Sequence, residues 1–158
     1  MTLDDIPIVD AIGKIVHPDF PEDITIMENR FALFPQGCFV AKGKDKILGY
    51  AISHPSIIGK PAPLDTIITL PENADCLFLH DIALNDEARG LGLGRQIVPL
   101  LKTAALLNGF KRLCLVSVNN SLSFWQAQGF DVLTPDDKLT AKLETYSSDA
   151  AYMVLTIN

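Results

Sequence analysis

Apolar residues recur along this chain in two rhythms, one helical and one extended. Between residues 4 and 16, Ile8, Ile12 and Ile15 repeat at helical spacing behind the acidic pair Asp4 and Asp5, which suits the positive end of a helix. His17-Pro18 ends this segment, because a residue before proline avoids the helical region. A second helix is predicted to open at Pro21, with Glu22 and Asp23 in its first turn and Ile24, Met27, Phe31 and Phe34 as its stripe. Pro35-Gln36-Gly37 closes it. Residues 38–42 and 46–54 read as strands joined by Gly43-Lys44-Asp45.

The next stretch, 54–73, has no periodicity and carries prolines at 55, 61, 63 and 71. A loop of that length in a compact domain is more often functional than idle, and it leads directly into the central strand, so it is expected to lie over a site and shape it. The central strand spans 76–84. A helix follows over 92–108 and stops at Gly109, a favoured residue just past a helix end, while Pro99 inside it is expected to remove a hydrogen bond and bend it. A buried strand at 112–118, a short helix at 121–128, and closing strands at 130–133 and 152–157 around a polar loop complete the chain. No internal repeat and no low-complexity segment appears.

Between the central strand and its helix lies Arg89-Gly90-Leu91-Gly92-Leu93-Gly94. A strand, a glycine-rich turn and a helix in that order aim backbone N–H groups and the positive helix end at one point, which suits a phosphate. A Walker loop would continue Gly-Lys-Ser/Thr, but Gly94 is followed by Arg95 and Gln96. A dinucleotide fingerprint starting from Gly90 and Gly92 would need glycine at position 95, which is arginine. The pattern that fits is R-x-x-G-x-G, at Arg89, Gly92 and Gly94. One β-α unit later the chain reads Phe124-Trp125-Gln126-Ala127-Gln128-Gly129-Phe130.

In these two motifs, correctly spaced around the strand at 112–118, the chain resembles the GNAT superfamily of acetyl-CoA-dependent N-acetyltransferases, whose corresponding phrase is F-Y-x-x-x-G-F. The resemblance implies one domain over 1–158 of the α/β (α+β) class. Its mixed central sheet should have about six to seven strands, flanked by about four helices. The element order matches over nearly the whole chain; the family's first strand has no counterpart assigned before Asp4.

The resemblance also implies a site. The end of the central strand, Ile82, Ala83 and Leu84, would pair with the pantetheine arm of acetyl-CoA, and a backbone N–H near Ile82 would steady the developing oxyanion. Arg89, Gly90, Leu91, Gly92, Leu93, Gly94 and Arg95 would cover the pyrophosphate, with Asn120, Ser123 and Trp125 as further coenzyme contacts. His80 is the expected base, since histidine suits proton removal near neutral pH. By strand alternation it should face the same side as Ile82 and Leu84. Arylalkylamine acetyltransferases carry two alternating histidines here; the first position is Phe78 in this chain, and Asp81 is an alternative substrate contact. Trp125 stands where many members have an acidic tyrosine, and an indole cannot serve as that acid. Ser123, Tyr146 or Tyr152 are the alternatives.

Composition narrows the partners. A net charge of −6 and a pI near 4.9 argue against nucleic acid, which calls for a basic face, and are compatible with a cationic amine. A mean hydropathy of +0.24 without an uninterrupted apolar span argues against a membrane segment, and Met1-Thr2-Leu3-Asp4-Asp5 lacks the basic start of a signal peptide. Cys38, Cys76 and Cys114 sit singly in apolar runs, as buried reduced cysteines of a cytoplasmic protein do, and no metal-ligand spacing appears. The expected activity is acetyl transfer to a primary amine, a small molecule before a peptide, with no metal and with homodimerisation open. Transfer of a longer acyl group and a non-catalytic acetyl-CoA-binding sensor are the alternatives.

Overall fold

A computed structural model of the chain describes residues 1–88 and 90–157. Among them are five α-helices and six strands in the order α1 (Ile6–Val16), α2 (Ile24–Leu33), β1 (Cys38–Lys42), β2 (Ile47–Ser56), β3 (Cys76–Leu84), α3 (Leu93–Leu107), β4 (Arg112–Ser117), α4 (Leu122–Ala127), β5 (Asp131–Val132), α5 (Asp137–Leu143) and β6 (Ala151–Thr156). One mixed sheet runs β1-β2-β3-β4-β6-β5, antiparallel throughout except for the parallel pair β3–β4. That pair needs a crossover, which α3 supplies.

Local chemistry sets the helix ends. Asp23 caps α2 by accepting from the Thr25 N–H at 2.9 Å, and Asp136 caps α5 by accepting from the Leu139 N–H at 2.8 Å. Helix α5 replaces the polar loop expected before the last strand; its Leu139 and Leu143, one turn apart, bury against Cys76, Phe78 and Tyr152. Pro99 lies inside α3 without ending it.

The sheet buries both faces. On one, Leu77, Leu79, Leu113 and Leu115 pack under Ile97, Val98 and Leu101 of α3, with Trp125 and Phe130 beside them. On the other, Tyr50, Ile52 and Ala83 meet α1 and α2. The face of α1 that reaches this core is Ile6, Val9, Ile12 and Gly13, which shares only Ile12 with the predicted stripe: Ile8 is 48% and Ile15 77% exposed. Gly13 decides the rotation, since a Cβ there would stand 2.7 Å from the Tyr50 hydroxyl. Strand β2 also runs past its predicted end through Pro55 and Ser56. β1 pairs with β2 only as far as Ile52, so Pro55 lies where β2 has no partner on that side and its missing N–H costs no ladder bond.

Candidate active site

Strands β3 and β4 pair only at Leu77–Leu113, Phe78–Cys114 and Leu79–Leu115. Beyond that point β4 continues against β6 alone, so the β4-facing edge of β3 from His80 to Leu84 has no strand partner. The opening is a cleft of ≈ 660 Å³. Its floor is mostly apolar, with Ile82, Leu84 and Val116 among its lining, and its far end is closed by the turn into α3.

That turn depends on glycine. Gly90 and Gly92 have φ of +79° and +70°, and Gly92 is the N-cap of α3 in the left-handed conformation, which other residues adopt only at a cost. Gly94 lies in the first turn, where a Cβ would come within 3.2 Å of Phe124. The N-terminal N–H groups of α3 and its positive dipole end therefore open into the cleft without side chains in the way. A free strand edge running into an anion-binding helix end fits a long ligand with an amide-bearing arm and a phosphate group.

His80 is the residue around which β3 loses its register. Ile52 faces Asp81 and Ser53 faces Leu79, so His80 is the extra residue of a β-bulge. Leu77, Leu79 and Ile82 pack on the α3 side, whereas Phe78 and Ala83 pack on the opposite side. The bulge places His80 and Asp81 consecutively on this opposite side, so the expected alternation of His80 with Ile82 and Leu84 does not hold. Its side chain is 2% exposed, with its Nε2 3.2 Å from Glu22 Oε2 and its ring 5.7 Å from that of His54. With Nε2–H donating to Glu22, Nδ1 carries the lone pair in the neutral ring, and Nδ1 is buried without a hydrogen-bond partner. His54 stays neutral: burial pushes its pKa down to about 3, and its Nδ1–H donates to the Pro55 carbonyl at 2.9 Å.

A second pair crosses the first. His17 Nε2 lies 3.1 Å from Asp81 Oδ1 and 3.2 Å from the Ile82 carbonyl, and the Tyr50 hydroxyl donates to Asp81 Oδ2 at 2.5 Å. The hydrogen bond to Asp81 raises the His17 pKa despite burial. Burial alone would raise Asp81, but the bonds from His17 and Tyr50 outweigh it and hold the carboxyl below its ordinary range. Glu22 is likewise held low, its desolvation offset by His80 and by the Asp65 N–H, which donates to Glu22 Oε1 at 2.8 Å. Residues 17–22 are thus bound to the bulge by two histidine–carboxylate pairs. Where they meet, a smaller cavity of ≈ 80 Å³ adjoins the cleft and shares His80, Asp81, Val116 and Val118 with it.

The other residues singled out in the sequence divide. Gly90, Gly92, Leu93, Gly94 and Arg95 line the cleft, as do Ile82, Leu84 and the 5%-exposed Trp125. Ala83 is turned into the core beneath α1, and Leu91 lies in a separate apolar groove against β1. Asn120 and Ser123 do not line the cleft; Asn119 and Ser121 do. Consecutive left-handed residues at 119 and 120 turn the chain so that the Asn120 N–H is taken by Asp149 at 2.6 Å. Ser123 is exposed on α4, whereas Ser121 hydrogen-bonds the Val118 carbonyl at 2.6 Å. Arg89 lies outside the described residues. Tyr152 is fully buried, and the Tyr146 hydroxyl donates to the Ala62 carbonyl at 2.5 Å beside the smaller cavity. Glu22, His17 and Tyr50 carried no sequence signal of a site, because they reach it from 58, 64 and 31 residues away. Among the described residues no cluster capable of holding a metal ion occurs, and no helix is long and apolar enough to cross a membrane.

A split parallel pair leading to a glycine-lined helix N-terminus defines an acyl-coenzyme A-binding class of fold. The family model of the acetyltransferase (GNAT) family matches residues 9–130, and the chain belongs to that family. It is an acyltransferase of the N-acetyltransferase type whose cosubstrate is acetyl-CoA. No curated protein sequence matches significantly. Among solved structures, N-acetylglutamate synthase from Neisseria gonorrhoeae, complexed with coenzyme A and N-acetyl-glutamate, superposes with a TM-score of 0.73 at 15% identity. The match covers 99% of this chain and 34% of that one, so the chain spans about a third of that protein. The ribosomal-protein-S18-alanine N-acetyltransferase from Escherichia coli gives 0.68 at 19% identity over 100% of this chain and 91% of its own. Nourseothricin acetyltransferase gives 0.56 at 26% identity over 77% and 65%.

Proposed function

We propose that this chain transfers acetyl from acetyl-CoA to a primary amine, a small molecule in preference to a peptide, by direct attack in a ternary complex in the cytoplasm. The observation that carries the reading is His80: a buried imidazole anchored through Nε2, with an unpartnered Nδ1, at the junction of a coenzyme-sized cleft and a small acidic cavity.

Acetyl-CoA supplies an activated thioester. The free edge at Ile82 to Leu84 holds the pantetheine arm through backbone groups, and the turn from Gly90 to Arg95 with the start of α3 holds the pyrophosphate. Asn119 and Ser121 replace Asn120 and Ser123 as polar contacts of the cleft. The Ile82 N–H steadies negative charge developing on the carbonyl oxygen. His80 Nδ1 takes the proton from the attacking ammonium, and Glu22 holds the ring and steadies the imidazolium that results. Trp125 packs in the wall and donates no proton to the sulfur. A thiol of ordinary acidity has a pKa of about 8.5, so the thiolate leaves without a side-chain acid.

The preference for a small acceptor rests on the loop 57–75. It is fastened over α2: Asn29 and Ile68 exchange two hydrogen bonds of 3.2 and 3.1 Å, and Arg30 donates to the Thr66 carbonyl at 2.8 Å. The similar structures include enzymes named for an antibiotic and for a ribosomal protein, so the family permits either acceptor.

The test follows thiol release from acetyl-CoA by the purified protein, with and without amines ranging from alkylamines and aminoglycosides to short peptides. Release stimulated by a small amine is expected. Stimulation by peptides alone overturns the preference, and acetyl-CoA binding with no release across the panel overturns the transfer reaction in favour of a sensor.

A further inference from the structure

Resting on that reading, we infer that the acceptor is a short aminoalkyl cation without a carboxylate, a diamine or polyamine end in place of an amino acid. The ≈ 80 Å³ cavity beside the cleft takes its polar wall from Glu22, Asp81, His17 and His80. Both carboxylates are held in the charged form, each by a histidine, and among the described residues no lysine or arginine lines the cavity beside them. Arg30 interacts electrostatically with Glu22, but it is fully buried and outside the cavity lining, with its guanidinium donating to Asn29 and to the Thr66 carbonyl. Phe20 and Tyr146 add two aromatic rings to the lining. Even with His17 protonated against Asp81, Glu22 and the two aromatic rings favour an ammonium over an anion. The His80 ring in this wall is 2% exposed, and its Nδ1 has no hydrogen-bond partner among the described residues.

Volume sharpens the class. A water's share of the liquid is about 30 Å³, so the cavity holds the equivalent of two to three waters. That suits an unbranched aminoalkyl end and leaves little room for an α-carbon bearing both a carboxylate and a side chain. An amino acid reacting through its α-amine would have to bring its carboxylate against Glu22 and Asp81, the kind of like-charge contact that discriminates strongly between ligands.

The test compares kcat/KM for matched acceptors that differ only by a carboxylate on the carbon bearing the one free amine: N-acetyl-1,4-diaminobutane with Nδ-acetylornithine, and butylamine with norvaline. Acetyl-CoA affinity is measured separately by calorimetry. A preference for the carboxylate-free amine of about 100-fold or more in each pair is expected. In Glu22→Gln this ratio should shrink by about 10-fold or more; because it is a ratio, a general slowing through His80 cancels from it. Equal turnover of both members, or preference for the amino acid or for a peptide amino terminus, overturns the inference while leaving acetyl transfer intact. Acetyl-CoA binding with no turnover of any acceptor overturns the underlying reading and the inference together.

Discussion

Replacing Tyr50 with phenylalanine removes one oxygen from the middle of the molecule and tests how the site is held. Tyr50 is 3% exposed, and its hydroxyl donates at 2.5 Å to Asp81, whose other oxygen is bound by His17 at 3.1 Å. Phenylalanine keeps the ring against α1, so almost no packing is lost. What is lost is a hydrogen bond to a buried carboxylate, which contributes roughly 1.5–3 kcal/mol. Losing that bond also removes one of the contacts that hold the Asp81 carboxyl below its ordinary range, so its pKa rises. The sign with pH follows from linkage. A carboxyl with a lowered folded-state pKa stabilises the fold above its unfolded value of about 3.9, and that contribution disappears as pH falls through the folded value. Urea unfolding should therefore show the full deficit of Tyr50→Phe at pH 7, shrinking once the pH drops below about 4. A deficit under about 0.5 kcal/mol at pH 7, or one that does not change in acid, would refute the claim that Tyr50 stabilises Asp81 in its charged form.

Three further perturbations probe other parts of the account. His17 has a raised pKa, so its contribution is complete below about 6.5 and is lost as pH rises through the higher folded value; urea midpoints between pH 6 and 9 should fall in the wild type and stay flatter in His17→Gln. Gly92→Ala meets no atom within 4 Å but forces alanine to a φ of +70°, costing about 1–2 kcal/mol, so calorimetry should show a lower Tm together with weaker acetyl-CoA binding. Trp125→Ala removes a 5%-exposed ring set edge-on to Phe124 and Phe130, at centroid distances of 4.9 and 5.5 Å, and should lower unfolding free energy by about 3–5 kcal/mol in urea.

The cleft and its glycine turn were largely legible in the chain because their elements are local. Strand, glycine turn and helix are consecutive, and their backbone geometry follows from residue type. The smaller cavity with its two histidine–carboxylate pairs was not. Glu22 looks like any acidic residue at a helix start, and His17 like the end of the preceding helix, until the fold brings both to residues 80 and 81. The bulge explains the misplaced facing of His80: a two-residue alternation cannot reveal one inserted residue, and that insertion lets His80 and Asp81 share a face. In α1 the exposed isoleucines at 8 and 15 imitate a core stripe around the buried Ile12, while the contact that sets the true face is the missing side chain of Gly13 against Tyr50. Helix α5 was hidden because only Leu139 and Leu143 interrupt a polar run, and Pro55 disguised a strand that had merely lost one neighbour.

The central claim is that His80 takes the proton from an amine held beside a bound thioester. Single-turnover acetylation of 1,4-diaminobutane by His80→Gln, with acetyl-CoA saturating and its affinity measured in parallel, tests this most directly. The account predicts a rate about 10²–10⁴-fold below the wild type with acetyl-CoA affinity unchanged. A variant that acetylates at the wild-type rate would show that the proton leaves by another route and that His80 only packs the bulge.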